Sequence, residues 1–136
     1  GSDDGCARVF TVSTGATVAS WTHGGPVLCI AWHPAGDWLV TGSRDNQVRI
    51  FDAAEKAEIA NWTLPAEVVQ ISFSPLGSWL LAVSRPSSTA KAHDSAELPV
   101  KGAVEVFDIT RLFRVAEWTS NSSLNLFTAA CWSPSD

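Results

Sequence analysis

The stretch VLCIAWHPAGDWLVTG at 27–42 returns as VVQISFSPLGSWLLAV at 68–83. Trp32 falls on Phe73, Pro34 on Pro75, Gly36 on Gly77 and Trp38 on Trp79, every pair 41 positions apart. The same step carries Phe10 (RVF) to Phe51 (RIF), and Trp21 (SWT) to Trp62 (NWT). Beyond that the register lengthens. Phe51 leads to Phe107 and Trp62 to Trp118, both 56 apart, and Pro75 leads to Pro134, 59 apart. An insertion of 15 residues (56 less 41) accounts for the first two gaps, and three more residues fall between Trp118 and Cys131. Landmarks of different chemistry sharing one offset do not arise from composition. A period near 40 decides the architecture before any local reading does.

Within one unit the segments read as short strands. Val27–Trp32 and Val68–Phe73 are apolar runs closed by proline turns, HPAGD and SPLGS. Trp38–Thr41 and Trp79–Val83 follow, then Gln47–Phe51 and Val104–Phe107, each of the last two ending in Phe-Asp. A fourth strand holds the Trp-Thr pairs: Val18–Thr22, Ala57–Thr63 and Arg114–Thr119. Helical periodicity is absent, and Pro34, Pro65, Pro75, Pro86 and Pro99 stand at turn positions. Four strands per unit at this period predict an all-β protein, a partial β-propeller whose blades bury their sheet faces against one another. Residues 1–22 supply the last two strands of one blade, 27–63 a full blade, and 68–119 a second full blade carrying an insertion at 85–102. Residues 127–136 are expected to begin a fourth. Propellers close with about 4–8 blades. The missing ones are therefore expected from the rest of a parent chain or from another copy. Trp38 and Trp79 are expected as large buried aromatics between the sheets.

Composition agrees with a packed β-domain. The chain has 136 residues, 46% of them hydrophobic and 17% charged, with a net charge of −5. That is too apolar for a disordered segment, and nine scattered Lys and Arg offer no basic patch for a phosphate backbone. No apolar run approaches the ~20 residues of a membrane-spanning helix. There is no Met, so the sequence is expected to be processed or a piece of a longer protein. Cys6, Cys29 and Cys131 lack the C-x-x-C spacing of a zinc or redox site. Cys29 and Cys131 lie in apolar runs, where a thiol serves as a small hydrophobe. The sequons at Asn61 and Asn121 read as chance matches.

The stretch GSRDNQVRIFD (42–52), a truncated copy GSDDGCARVF (1–10), and Thr22-His23 before Gly-Gly-Pro-Val resemble the WD-repeat family. The resemblance implies a hydrogen-bonded set of His, hydroxyl, Asp and Trp in each good repeat, here His23, Thr41, Asp45 and Phe51. Phe51 has no indole N–H, so the set is broken at its last member. A second resemblance concerns arrangement. Ile71–Pro75, the insertion 85–102, Val104–Ile109 and Trp132–Asp136 together look like the N-terminal propeller of the eukaryotic translation initiation factor 2A family, and less closely that of initiation factor 3 subunit b.

Catalytic chemistry finds no foothold. There is no paired-carboxylate spacing, phosphate loop, G-x-S-x-G or H-E-x-x-H. His33 sits in a W-H-P turn and His93-Asp94 in a polar insertion, with no second metal ligand at a useful spacing. The sequence therefore predicts a non-enzyme without cofactor, cytoplasmic, acting through protein partners. The initiation-factor resemblance implies a small ribosomal subunit or initiator tRNA as partner. Arg85, Lys91 and Lys101 around the insertion are the candidate contacts. The competing expectation is a general protein–protein adapter unrelated to translation.

Overall fold

The computed structural model describes residues 1–86, 101–120, 127 and 129–134. Among them are ten strands: β1 (Cys6–Phe10), β2 (Thr17–Thr22), β3 (Val27–Trp32), β4 (Trp38–Ser43), β5 (Gln47–Asp52), β6 (Glu58–Thr63), β7 (Glu67–Phe73), β8 (Trp79–Arg85), β9 (Ala103–Asp108) and β10 (Phe113–Thr119). They form a β1–β2 ribbon and two antiparallel four-stranded meanders, β3–β4–β5–β6 and β7–β8–β9–β10. The described residues are all-β, and each four-stranded meander has the size and strand order expected of one propeller blade.

The repeat reappears in backbone geometry. The turn between third and fourth strand of each unit carries a residue with positive φ at the same register: Gly15 at 70°, Lys56 at 58° and Leu112 at 55°. Asp52 and Asp108 open two of these turns, each Oδ1 accepting the backbone N–H groups two and three residues on. This is the Asx turn that an aspartate side chain favours.

Strands β4 and β8 are buried along almost their whole length, with patterns iBBBBB and iBBBBBe. A central strand covered on both faces opens with a continuous apolar run rather than alternation, here WLV and WLLAV, and the polar residues that follow, Thr41, Ser43 and Ser84, are small and buried. The main core lies between the two full blades. Val40, Val48 and Ile50 come from one side, Val68, Ile71, Leu80, Ala82 and Phe107 from the other, with Leu64 in the link between them. Close approach at this junction depends on Gly42. A Cβ there would stand 2.5 Å from both Cys29 Sγ and Val68 Cγ1. Gly77 has φ 80°, and a Cβ on it would collide with the His33 imidazole of the preceding blade. His33 itself meets Phe73 edge-on at 5.1 Å and Trp38 at 5.4 Å, so the W-H-P turn is an inter-blade packing element.

Three expectations are corrected. Residues 127 and 129–134 are not in a strand, although the sequence predicts the first strand of a further blade there. No neighbouring strand stands among the described residues to share its ladder. The segment is held instead by side chains: Gln70 bonds the Ala130 backbone through both its Oε1 and Nε2, and Trp132 Nε1–H donates to the Ser72 carbonyl at 3.0 Å. Phe127, Ala130 and Trp132 thereby cover Leu81, Val83 and Val104 on the outer face of the second blade. Cys131, expected in the core, is exposed. It lies between Ala130 and Trp132, which face the sheet, and an extended chain turns alternate side chains away. Trp38 and Trp79 are half-buried rather than enclosed, because each begins its strand at the rim where turns leave the sheet. Among the described residues the buried phenyl rings are Phe107, fully enclosed, and Phe51.

Phe107→Ala is therefore expected to destabilise the chain by about 3–5 kcal/mol, as for a large buried aromatic. Trp79→Ala, whose ring is partly in solvent already, is expected to cost less. Urea unfolding of the two variants checks the order; a reversed order would mean that the rim, not the inter-sheet layer, holds the blades together.

Candidate functional site

The sequence-predicted polar set lies at the junction between the β1–β2 ribbon and the first full blade. His23 follows β2 in the link to β3 and is 8% exposed. Its Nε2 stands 2.8 Å from Thr41 Oγ1 in β4, and its Nδ1 3.2 Å from the Gly5 carbonyl. A carbonyl can only accept, so Nδ1 carries the proton, and the Thr41 hydroxyl donates to Nε2. The imidazole is thus neutral with both nitrogens satisfied. Burial, followed by the nearby Arg49 cation, holds its pKa below the ordinary 6.5.

Asp45 does not join this pair directly. Its carboxylate accepts the backbone N–H of Gly24 at 2.9 Å and of Gln47 at 3.1 Å, and pairs with Arg49 at 2.9 Å. It therefore clamps the link beside His23 to the β4–β5 turn. Burial raises the Asp45 pKa, but these donors outweigh it and the carboxyl lies below its ordinary value. Phe51 stands where the resemblance puts a tryptophan. It lies edge-on to His23 at 5.8 Å and stacks on Trp21 at 4.7 Å. The Trp21 indole N–H donates to the Lys56 carbonyl at 2.9 Å, outside the His23–Thr41 pair, so the set's last hydrogen bond is not replaced.

The next junction replaces this polar set with hydrocarbon. At the 41-residue step His23 becomes Leu64, Thr41 becomes Ala82 and Asp45 becomes Pro86. Leu64 and Ala82 are core residues packed with Phe107. The aromatic stack persists, Trp62 on Phe107 at 4.5 Å. Charge also persists, with its sign exchanged. Arg49 on β5 faces Glu58 on β6 at 3.9 Å. Fifty-six residues on, Glu105 on β9 pairs with Arg114 on β10 at 3.1 Å, and Glu117 joins Arg114 at 2.9 Å. Glu105 is 1% exposed and its Oε1 has no hydrogen-bond partner. Burial raises its pKa against the pull of Arg114. Sequence reasoning missed this pair; only comparison at the 56-residue offset shows that R-I-F and E-V-F occupy one register.

Of the candidate partner-binding residues, Arg85 ends β8 and is exposed, and Lys101 is exposed just before β9. Lys91 and the His93-Asp94 pair lie outside the described residues, as do most of the insertion and the Asn121 sequon. The β4–β5 turn shares a rim with the inter-blade links: Arg44 N–H donates to the Pro26 carbonyl at 2.9 Å, and Leu64 N–H to the Asn46 carbonyl at 2.8 Å. Among the described residues, no group of three or more His, Cys, Asp and Glu could hold a metal ion. No helix of the structure is long and apolar enough to cross a membrane.

Four-stranded meanders packed face to face, with a buried His–Thr bond joining link to second strand, have the build of propeller blades. Residues 15–52 match the WD40 family model, the WD domain, G-beta repeat. That span runs from the turn before β2 through β5, so it contains His23, Thr41, Asp45 and Phe51 together. No curated protein matches the chain. The chain carries a WD40 repeat, and such repeats generally mediate contacts between proteins.

The His23 site yields a stability prediction with a sign. Its folded pKa lies below the ordinary value of 6.5, so the unfolded chain takes up the proton first. This group's contribution is complete above about pH 6.5 and is lost as pH falls below it. Urea midpoints should therefore fall on acidification in the parent, and fall less in His23→Leu, which copies the next junction. At neutral pH, Thr41→Val should cost about 1–3 kcal/mol by leaving Nε2 without a donor. Identical acid slopes in parent and His23→Leu would show that the imidazole is not held neutral.

Proposed function

We propose that this chain is a non-catalytic scaffold of the cytoplasm, and that it binds a protein partner on the rim that carries the inter-blade links. The observation that carries this reading is the way that rim is built. The β4–β5 turn is bound to one link through Gly24 and Pro26 and to the next through Leu64, and Arg44 reaches Glu67 at 3.4 Å. Loops tied to sheet ends in this way present side chains in fixed positions, so little ordering entropy opposes a partner.

A narrower reading places the scaffold in translation initiation, contacting the small ribosomal subunit or initiator tRNA near Arg85, Lys91 and Lys101. It rests on the order of sequence features described above. The electrostatics favour a protein partner instead. Arg8, Arg44, Arg49 and Arg114 are each paired with carboxylates. With these spent and a net charge of −5, few cations remain to release counterions from a phosphate backbone.

Binding by the immobilised full chain in an extract with and without nuclease treatment separates the two. A protein partner is expected to stay bound at about 0.3 M salt, where the Debye length is well below 10 Å. It should be lost with Arg44→Glu and Arg85→Glu on the link rim, and kept with Val12→Ser on the opposite rim. Retention that requires RNA, or that vanishes with moderate salt, would replace the adapter reading with the initiation one.

A further inference from the structure

Each junction between blades is made by two short motifs. The outer strand of one sheet offers Ala-x-Trp, and the third strand of the next offers a charged residue, a β-branched residue and Phe. In the first junction Ala19-Ser-Trp21 meets Arg49-Ile-Phe51, and in the second Ala60-Asn-Trp62 meets Glu105-Val-Phe107, with ring centroids 4.7 and 4.5 Å apart. A third copy of each motif stands at opposite ends of the described structure. Ala116-Glu-Trp118 lies on β10, where Trp118 is 55% exposed. Arg8-Val-Phe10 lies on β1, where Phe10 is also 55% exposed. Trp21 and Trp62 occupy the same register as Trp118 and are half-buried by their stacks.

We infer that the β10 face of one molecule receives the β1–β2 ribbon of a second copy of this chain, so that Trp118 stacks on Phe10. The occupant follows from the match. Arg8-Val-Phe10 differs from Arg49-Ile-Phe51, which an Ala-x-Trp face already accepts in this fold, by one methylene in the middle residue. Supporting geometry is conserved as well. Trp21 anchors its indole N–H on the carbonyl of Lys56, a turn residue with φ 58°. On the ribbon that position is Gly15, with φ 70°, so the Trp118 indole has an equivalent acceptor. Arg8 is pre-set by Asp4 at 2.7 Å as Arg49 is by Asp45 at 2.9 Å. The contact is heterologous, one surface meeting a different one, and it propagates from molecule to molecule until a ring closes. It uses the sheet faces and leaves the link rim of the proposed scaffold free.

The test is the oligomeric state of the full chain by sedimentation velocity across concentration. The parent is expected to form species larger than a dimer. Phe10→Ala and Trp118→Ala should each be monomeric when alone, and both side chains are exposed enough for the variants to fold. Mixed in equal amounts, the two variants should form a dimer and nothing larger, because one intact Trp118 face meets one intact Phe10 ribbon. A monomeric parent at about 100 μM would overturn the inference, since that is the weak end of specific association. So would self-association that survives Phe10→Ala, which would mean that like faces pair.

Discussion

Everything else in this molecule depends on one inter-sheet contact, the indole of an outer strand laid on the phenyl ring of the next sheet's third strand. An isolated four-stranded antiparallel sheet has two faces to cover, and no helix stands among the described residues to cover them. Packing buries both faces of the central strands β4 and β8, the outer face of β8 under Phe127, Ala130 and Trp132. The Trp–Phe contact bridges the two sheets at each junction. It closes the first junction at 4.7 Å and the second at 4.5 Å.

Around that constant the two junctions differ in chemistry. The first satisfies a buried imidazole with Thr41 and the Gly5 carbonyl; the second places Leu64 and Ala82 in the same register. Buried polar groups are costly when unpaired and near neutral when fully bonded. The His23 set therefore adds little net stability. What it adds is register, because it ties the link, the second strand and the β4–β5 turn to one another. At the second blade the described tie on that side is backbone to backbone, the Ser120 N–H donating to the Gly102 carbonyl at 3.0 Å. Within β9 the buried Glu105 keeps one oxygen unpartnered and is held by Arg114.

Much of this was legible in the sequence because the landmarks are aromatic, proline and glycine, whose spacing survives degeneration of everything between them. The 41-residue step located every strand from β3 to β8 to within a few residues, and positive φ at residues 15, 56 and 112 follows the same register. Fine placement was less legible. Tryptophans at strand starts read as core although the rim leaves Trp38 and Trp79 half in solvent. An apolar TAACW read as a strand, although no adjacent strand stands among the described residues to bond it. The pair Glu105–Arg114 was invisible for a different reason: it preserves the interaction of Arg49 with Glu58 while exchanging the residues, so similarity scoring sees two mismatches. Asp45 illustrates the limit of a motif. Its type and position were readable, but that it binds Gly24, Gln47 and Arg49 rather than His23 is a matter of geometry.

The most direct test of this account is the coupling energy between Trp62 and Phe107, from urea unfolding of the parent, Trp62→Ala, Phe107→Ala and the double variant. If the stack joins the blades, the two losses are non-additive by about 0.5–1.5 kcal/mol, the worth of an aromatic pair beyond its buried area. Strict additivity would contradict it, because the two rings would then be packing on their own sheets and not on each other.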